Sequence, residues 1–290
     1  MTGGSHTKLP SVLTAGRMAV ASASSIDQDS YETLRLERPM IDILVVKLNR
    51  PQAANALNTQ MGRDLLSLFS ELSLRLDGLR CIVITGTGER AFCAGGDLKE
   101  RDGMSDSDWE IQHAVFEQAF RALLECPIPL LAAVNGAAYG GGCELALACD
   151  FTYAADSARF AQTETSLGII PGGGGTQMLA RAVGMARAKE IIFTAAPFHA
   201  ADALSWGMVN RIVPAASLMT EALATAQRIA ANAPIAVRQA KLAIVNGVEV
   251  DRRTGCVIEI AAYARCVPTG DRREGISAAR EKRAPKFTGC

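Results

Sequence analysis

Short apolar runs alternate along the chain with stretches whose apolar residues recur every three or four positions. Residues 81–85 (CIVIT) and 130–134 (LLAAV) are such runs, and 151–154 (FTYA) is nearly one. Runs of this length predict strands buried on both faces. Residues 31–37 alternate and 41–48 are β-branched and apolar, which predicts two further strands joined at Pro39. Over 61–76, Met61, Leu65, Leu68, Phe69, Leu72 and Leu76 stand at helical spacing. Ser105 and Asp106 are set to cap a helix that carries Trp109, Phe116 and Phe120 to about residue 125, where Pro127 stops it. Residues 140–142 are three glycines, read as opening an apolar helix over 143–149 directly after the strand at 130–134.

This strand–helix alternation predicts an α/β fold with βαβ units and a largely parallel sheet. From about residue 174 the texture changes. Segments 185–195, 200–206, 217–231, 234–246, 250–266 and 271–283 all read as helical, broken by Pro or Gly. No internal repeat is evident. Residues 1–29 are rich in Ser, Ala, Thr and Gly and hold no acid before Asp27. They read as a mobile leader, with a transit peptide as the alternative.

Composition narrows the classes. The chain has 290 residues, of which 49% are apolar, ample for a buried core. Lys plus Arg and Asp plus Glu number 30 each, so the balance does not point to nucleic acid or an anionic membrane as the main partner. No apolar run approaches the roughly 20 residues that a membrane helix needs. The eight cysteines form no C-x-x-C pair and no Cys/His cluster with zinc spacing. Most sit in apolar runs as small hydrophobes, which fits a reducing compartment and no metal site.

The three histidines, His6, His113 and His199, lie in the leader, mid-helix and near a helix start. A Ser–His–Asp or Cys–His nucleophile is therefore poorly supported, and acid–base work at neutral pH falls to carboxylates. Ala94-Gly95-Gly96-Asp97-Leu98-Lys99 follows the strand at 81–85, and paired glycines permit a tight turn. Gly140-Gly141-Gly142-Cys143-Glu144 offers the unpaired N–H groups of a helix N-terminus to a ligand oxygen; close helix–strand packing explains the same glycines. Neither a P-loop nor a dinucleotide fingerprint is present in this stretch. Glu144 stands in the first turn of an otherwise apolar helix, where a low-dielectric wall raises a carboxyl's pKa; a dipole-stabilising cap is the other account. Glu164 precedes Leu167-Gly168-Ile169-Ile170-Pro171 and four glycines, 172–175, and reads either as a surface Glu or as the second member of a pair.

Taken together, AFCAGGDLKE (91–100), AAVNGAAYGGGCELALACD (132–150) and QTETSLGIIPGGGGTQ (162–177) resemble the crotonase, or enoyl-CoA hydratase/isomerase, superfamily. The resemblance runs from about residue 31 through the tail DRREGISAAREKR (271–283). It implies a β/β/α spiral core over 31–215, holding the CoA and active sites, and a helical C-terminal trimerisation region over 216–290, behind a flexible leader at 1–30. It implies that the N–H groups of Gly96 and Gly141 form an oxyanion hole and that Glu144 and Glu164 are paired acid/base groups. Ala53, Ala94, Asp97 and Leu98, with Gly96 and Gly141, match the stretches that line the CoA groove. Lys282 matches a position that reaches CoA phosphate on a neighbouring subunit. Coenzyme A enters as part of the substrate, with no separate cofactor, and the expected assembly is a trimer or hexamer.

The resemblance implies an enzyme that adds water across a 2-enoyl-CoA double bond, because both glutamates are retained. DLKER, ELALACD and IIPGGGGTQ resemble most the methylglutaconyl-CoA hydratase, or AU-rich-RNA-binding hydratase, branch, so hydration of that substrate is one alternative and double-bond isomerisation another. RNA binding is a third, from a different class, but residues 61–80 hold no Lys and only Arg63, Arg75 and Arg80. A silent CoA-binding paralogue is a fourth, against which the intact glutamates argue. The expected location is cytoplasmic, or the mitochondrial matrix if the leader is a transit peptide.

Overall fold

The computed structural model describes Ile26 and residues 31–290. The rest of the leader read at 1–30 lies outside the described residues, and Ile26 itself is buried with the core. The chain begins with strands β1 (Leu34–Met40) and β2 (Ile43–Leu48) and helix α1 (Thr59–Leu74). Then follow β3 (Cys81–Gly86), β4 (Ala91–Cys93), α2 (Leu98–Arg101) and α3 (Asp106–Leu124). The central part comprises β5 (Leu130–Val134), β6 (Ala137–Tyr139), α4 (Gly141–Leu147), β7 (Phe151–Ala155), β8 (Arg159–Ala161), α5 (Gly175–Val183) and α6 (Met185–Thr194). Last come β9 (Phe198–His199), α7 (Ala200–Ser205), β10 (Arg211–Val213), α8 (Leu218–Ala230), α9 (Pro234–Gly247), α10 (Arg252–Cys266) and α11 (Gly270–Glu281).

Two sheets share the strands. One has the order β1-β2-β3-β5-β7-β10, parallel except for the β1–β2 pair, and the other the order β4-β6-β8-β9. Three consecutive turns of chain each lay one strand in the first sheet and the next in the second, β3 then β4, β5 then β6, β7 then β8, before a helix returns. This is the α/β spiral of the crotonase type, with helices following at the C-terminal end. Its repeat is one of geometry, not of sequence.

Two local expectations change. Pro39 does not join the first two strands. It lies inside β1, where the register shifts between Glu37 and Met40, and the chain reverses at Ile41–Asp42. β1 is an edge strand, and a bulge there accommodates a residue without an N–H. Nor do the glycines at 140–142 follow directly on the strand at 130–134, because β6 intervenes. Helix α8 lies beyond residue 216 yet packs within the main core, burying Leu218, Ala222, Ala226 and Ala230, and Thr225 meets the Tyr153 hydroxyl at 3.1 Å.

Candidate active site

The two glycine turns meet at the C-terminal ends of β4 and β6. Leu57 bridges to Gly96: the Leu57 N–H donates to the Gly95 carbonyl at 2.7 Å and the Asp97 N–H to the Leu57 carbonyl at 2.9 Å. Asp97 locks this turn. Its Oδ1 accepts from the N–H groups of Lys99 and Glu100, capping α2, and its Oδ2 pairs with Arg50 at 2.8 Å. The Gly96 N–H has no acceptor among the described residues.

The three glycines before Glu144 divide the two roles that the sequence left open. Gly140 has φ +50° and ψ −123°, and a Cβ there would stand 2.7 Å from Glu164 Oε1, so it serves the turn. Gly142 packs α4 onto β4, since a Cβ would stand 2.1 Å from the Cys93 carbonyl oxygen. Gly141 is the first residue of α4, and its N–H is one of the helix's orphan donors. A Cβ on Gly95 would lie 3.4 Å from the Gly141 nitrogen, so the two turns touch.

Both candidate carboxylates face the cavity beside these turns. Glu144 is 3% exposed, and its Oε1 accepts N–H groups from Gly173 at 2.8 Å and Gly175 at 2.7 Å. The stretch of four glycines, 172–175, is thus tied to Glu144 through two of its N–H groups. Burial pushes the Glu144 carboxyl up to about 7 despite those two donors, and the negative charge of Glu164 adds to the rise. Glu164 is 8% exposed and opens a single 3-10 turn, Glu164–Leu167. Burial raises its carboxyl too, against the pull of nearby backbone N–H groups and the positive charge of Arg101. Its Oε2 is buried without a hydrogen-bond partner.

A cavity of about 660 Å³ joins these groups. Leu57, Gly96, Gly141, Glu144 and Glu164 are among its lining residues. So are Trp109, His113, Phe116 and Phe120 of α3 and residues 169–173. Arg101 and Glu110 also contribute to the lining. Ala53, Ala94, Asp97 and Leu98 flank the bridged turn but do not line the cavity, and the Ala94 N–H donates to the Ala54 carbonyl. Lys282 is exposed at the C-cap of α11 and does not line it either.

Sequence reasoning missed Arg101, His113 and the donors of Gly173 and Gly175. His113 was read as structural, but its ring lies in the cavity wall against Gly172, where a Cβ would stand 2.5 Å from it. Cys143, next to Glu144, is fully buried, and burial holds its thiol well above the ordinary value, which makes it a poor nucleophile. Among the described residues no group of three or more His, Cys, Asp or Glu is arranged to hold a metal ion. Likewise no described helix is long and apolar enough to cross a membrane.

The arrangement sets two backbone N–H groups without acceptors among the described residues, and two buried carboxyls of raised pKa, in the lining of one cavity. Comparison with known proteins gives the same direction. A family model described as enoyl-CoA hydratase/isomerase matches residues 40–290. YngF of Bacillus subtilis, named for the same family, is 47% identical over 246 residues, 84% of this chain and 94% of that protein. The human mitochondrial methylglutaconyl-CoA hydratase is 40% identical over 269 residues, 90% of this chain and 78% of that one. A crystal structure of an enoyl-CoA hydratase from Bacillus anthracis superposes with a TM-score of 0.87 at 41% identity, covering 89% of this chain and all of that one.

Proposed function

The chain belongs to the enoyl-CoA hydratase/isomerase family, and we propose that it reversibly adds water across the 2,3 double bond of a short 2-enoyl-CoA thioester. The observation that carries this reading is the pairing of Glu144 and Glu164, both buried and both raised in pKa, beside the free N–H groups of Gly96 and Gly141.

The chemistry follows from the geometry. The thioester oxygen accepts from Gly96 and Gly141, which stabilises the charge that develops there. Glu144 takes a proton from water, and the oxygen adds to C3. The displaced electron pair moves to the thioester oxygen as an enolate. Glu164 gives its proton to C2, and the enolate collapses to the 3-hydroxyacyl thioester. Two backbone donors hold Glu144 Oε1, which leaves its other oxygen for the water and offsets part of the burial that raises its carboxyl, while the unpartnered Oε2 of Glu164 is free to carry the proton that C2 receives.

Double-bond isomerisation needs only one carboxylate and leaves the second unexplained. A silent paralogue would have no use for two carboxyls kept in this state. RNA binding gains little from residues 61–80, where Arg63 and Arg75 are exposed but Arg80, in the loop before β3, is spent on the carbonyls of Ala230 and Phe287. The glutamates act at C2 and C3 whatever the acyl chain carries beyond, so hydration of methylglutaconyl-CoA uses the same machinery, with the cavity wall reading the chain's end. We further propose that the backbone around Ala53, Ala94, Asp97 and Leu98 receives CoA, that Lys282 serves a neighbour's CoA in a trimer or hexamer, and that residues 31–215 and 216–290 divide catalysis from assembly. The eight free cysteines fit the cytoplasm or another reducing compartment, such as the mitochondrial matrix.

The deciding experiment follows purified protein with 2-butenoyl-CoA. The expected product is 3-hydroxybutanoyl-CoA, with loss of the enoyl thioester absorbance. A shifted double bond without a hydroxyl product would instead support isomerisation.

A further inference from the structure

Arg101 ends α2 and lies half-buried in the wall of the cavity. Its Nε donates to Gln112 Oε1 at 2.9 Å, and its guanidinium carbon lies 4.3 Å from the ring centre of Trp109. Gln112 is itself fixed, donating to Thr59 Oγ1 and Glu100 Oε2 at 2.8 Å each. Nη1 lies against Gly96, where a Cβ would stand 2.8 Å from it. Neither Nη1 nor Nη2 has an acceptor, and Arg101 forms no ion pair, among the described residues. It is the one Arg or Lys among the lining residues of the cavity.

A guanidinium stays charged, and although the charges of Glu100 and Glu164 act on this one from beyond ion-pair distance, leaving both Nη groups half-desolvated without an acceptor is unfavourable. The other charged groups on the lining are the two catalytic glutamates and the exposed Glu110 and Glu117 on α3, the last already paired with Arg121. The rest of the inner wall is largely aromatic and aliphatic. A planar fork held by its Nε and one face, with both Nη groups open, matches a carboxylate in bidentate geometry.

Resting on the hydratase reading above, we propose that Arg101 recognises a carboxylate at the far end of the acyl chain, so that the preferred substrate is a short dicarboxylic 2-enoyl thioester. The cation is fixed in advance by Gln112 and Trp109, and the substrate supplies its missing partner. Its neighbour Glu164 offers the competing explanation, in which Arg101 acts only through that carboxyl.

Two matched pairs of thioesters separate these accounts. Glutaconyl-CoA and 2-pentenoyl-CoA have acyl chains of equal carbon number and report turnover. Glutaryl-CoA and pentanoyl-CoA cannot be hydrated and report binding by calorimetry. We expect the wild type to prefer the dicarboxylic member of each pair by at least about tenfold, Arg101→Gln to bring both ratios close to one, and Arg101→Lys to recover part of the preference. A wild-type ratio at or below one overturns the proposal. So does an Arg101→Gln variant that lowers both members equally, as action through Glu164 or on the CoA portion requires. If neither enoyl thioester is hydrated while glutaryl-CoA still binds in preference through Arg101, the carboxylate site stands and the hydratase reading fails. Hydration of both enoyl thioesters without preference has the opposite meaning.

Discussion

The backbone N–H of Gly175 donates to Glu144 Oε1 at 2.7 Å across 31 residues of chain. The Gly173 N–H donates to the same oxygen at 2.8 Å. One carboxylate oxygen therefore organises the glycine loop, and the loop in turn fixes where the other oxygen of Glu144 points. Residues with side chains do not fit this arrangement.

Gly175→Ala tests that point. The added Cβ would stand 2.8 Å from Glu144 Oε1 and 2.9 Å from Gln162 Nε2, so the carboxylate must shift. Displacement of a catalytic group by about 1 Å costs on the order of a hundredfold in rate. We expect kcat to fall by roughly that factor with CoA affinity little changed. A variant with wild-type kcat would show that the loop does not position Glu144.

The glutamates themselves are tested by near-isosteric replacement. Glu144→Gln and Glu164→Gln each keep shape but lose proton transfer, for which a loss of roughly 10²–10⁴ in kcat is expected. Circular dichroism and thermal melting should show an intact fold. Full activity in either variant would remove that residue from the mechanism.

The pH dependence has a definite sign. Burial raises the Glu144 carboxyl from 4.5 to about 7. Between those values the folded state holds a proton that the unfolded chain has lost. The stability it contributes is present below pH 4.5 and is lost as pH rises to about 7. The loss amounts to roughly 3 kcal/mol. Glu144→Gln cannot ionise and can still accept from Gly173 and Gly175. Urea unfolding should find it more stable than wild type at pH 8 by up to about 3 kcal/mol, with the two proteins converging near pH 4. An equal difference at both pH values would mean that ionisation of Glu144 does not destabilise the fold. In the proposed role of base, Glu144 must be deprotonated, so wild-type kcat/KM should also fall as pH drops below about 7.

Much of this was legible in the sequence where a residue's neighbours in the chain are also its neighbours in space. The apolar spacing from Met61 to Leu72 and the Ser105 cap gave α1 and α3 closely. Glu144 and Glu164 stood out because glycines flank them in sequence. The second sheet was not legible, since β4, β6 and β8 have three residues each and exist only by pairing with strands far along the chain. Arg101 was hidden for a related reason. Nothing in Leu98-Lys99-Glu100-Arg101 marks which side chain faces the cavity, and the choice is made by Gln112 and Trp109 on another helix. Nothing in the sequence marks Gly173 and Gly175 as donors either, because their partner Glu144 lies about thirty residues earlier.

Self-association is tested on α10. Val257, Ile260 and Tyr263 fall at helical spacing on one face and are 66%, 63% and 66% exposed in the single chain. An exposed apolar stripe of this kind is a candidate interaction surface. Sedimentation should show a trimer or hexamer for the wild type and a monomer for Val257→Glu/Ile260→Glu. An unchanged assembly would move the interface elsewhere.

The oxyanion donor on Gly141 is tested by a pair of substitutions. Gly141 is the first residue of α4, a position where the ring of proline suits the helix and its missing N–H removes no helical hydrogen bond. Gly141→Pro thus deletes the donor that the thioester oxygen would use. Any side chain at 141 also meets Leu57, whose Cδ1 would lie 2.9 Å from a Cβ, so crowding alone must be measured. Gly141→Ala supplies that control, because it adds the same Cβ and keeps the N–H, and the Leu57 side-chain end can move. If the donor acts on the transition state, Gly141→Pro should lower kcat by roughly 10²–10³ relative to Gly141→Ala, a loss of about 3–4 kcal/mol, with similar affinities for a saturated acyl-CoA. Equal kcat values for the two variants would assign the loss to crowding and leave Gly96 as the only donor with support. A loss of affinity as large as the loss of kcat would mean that the N–H binds ground state and transition state alike, and so does not lower the barrier.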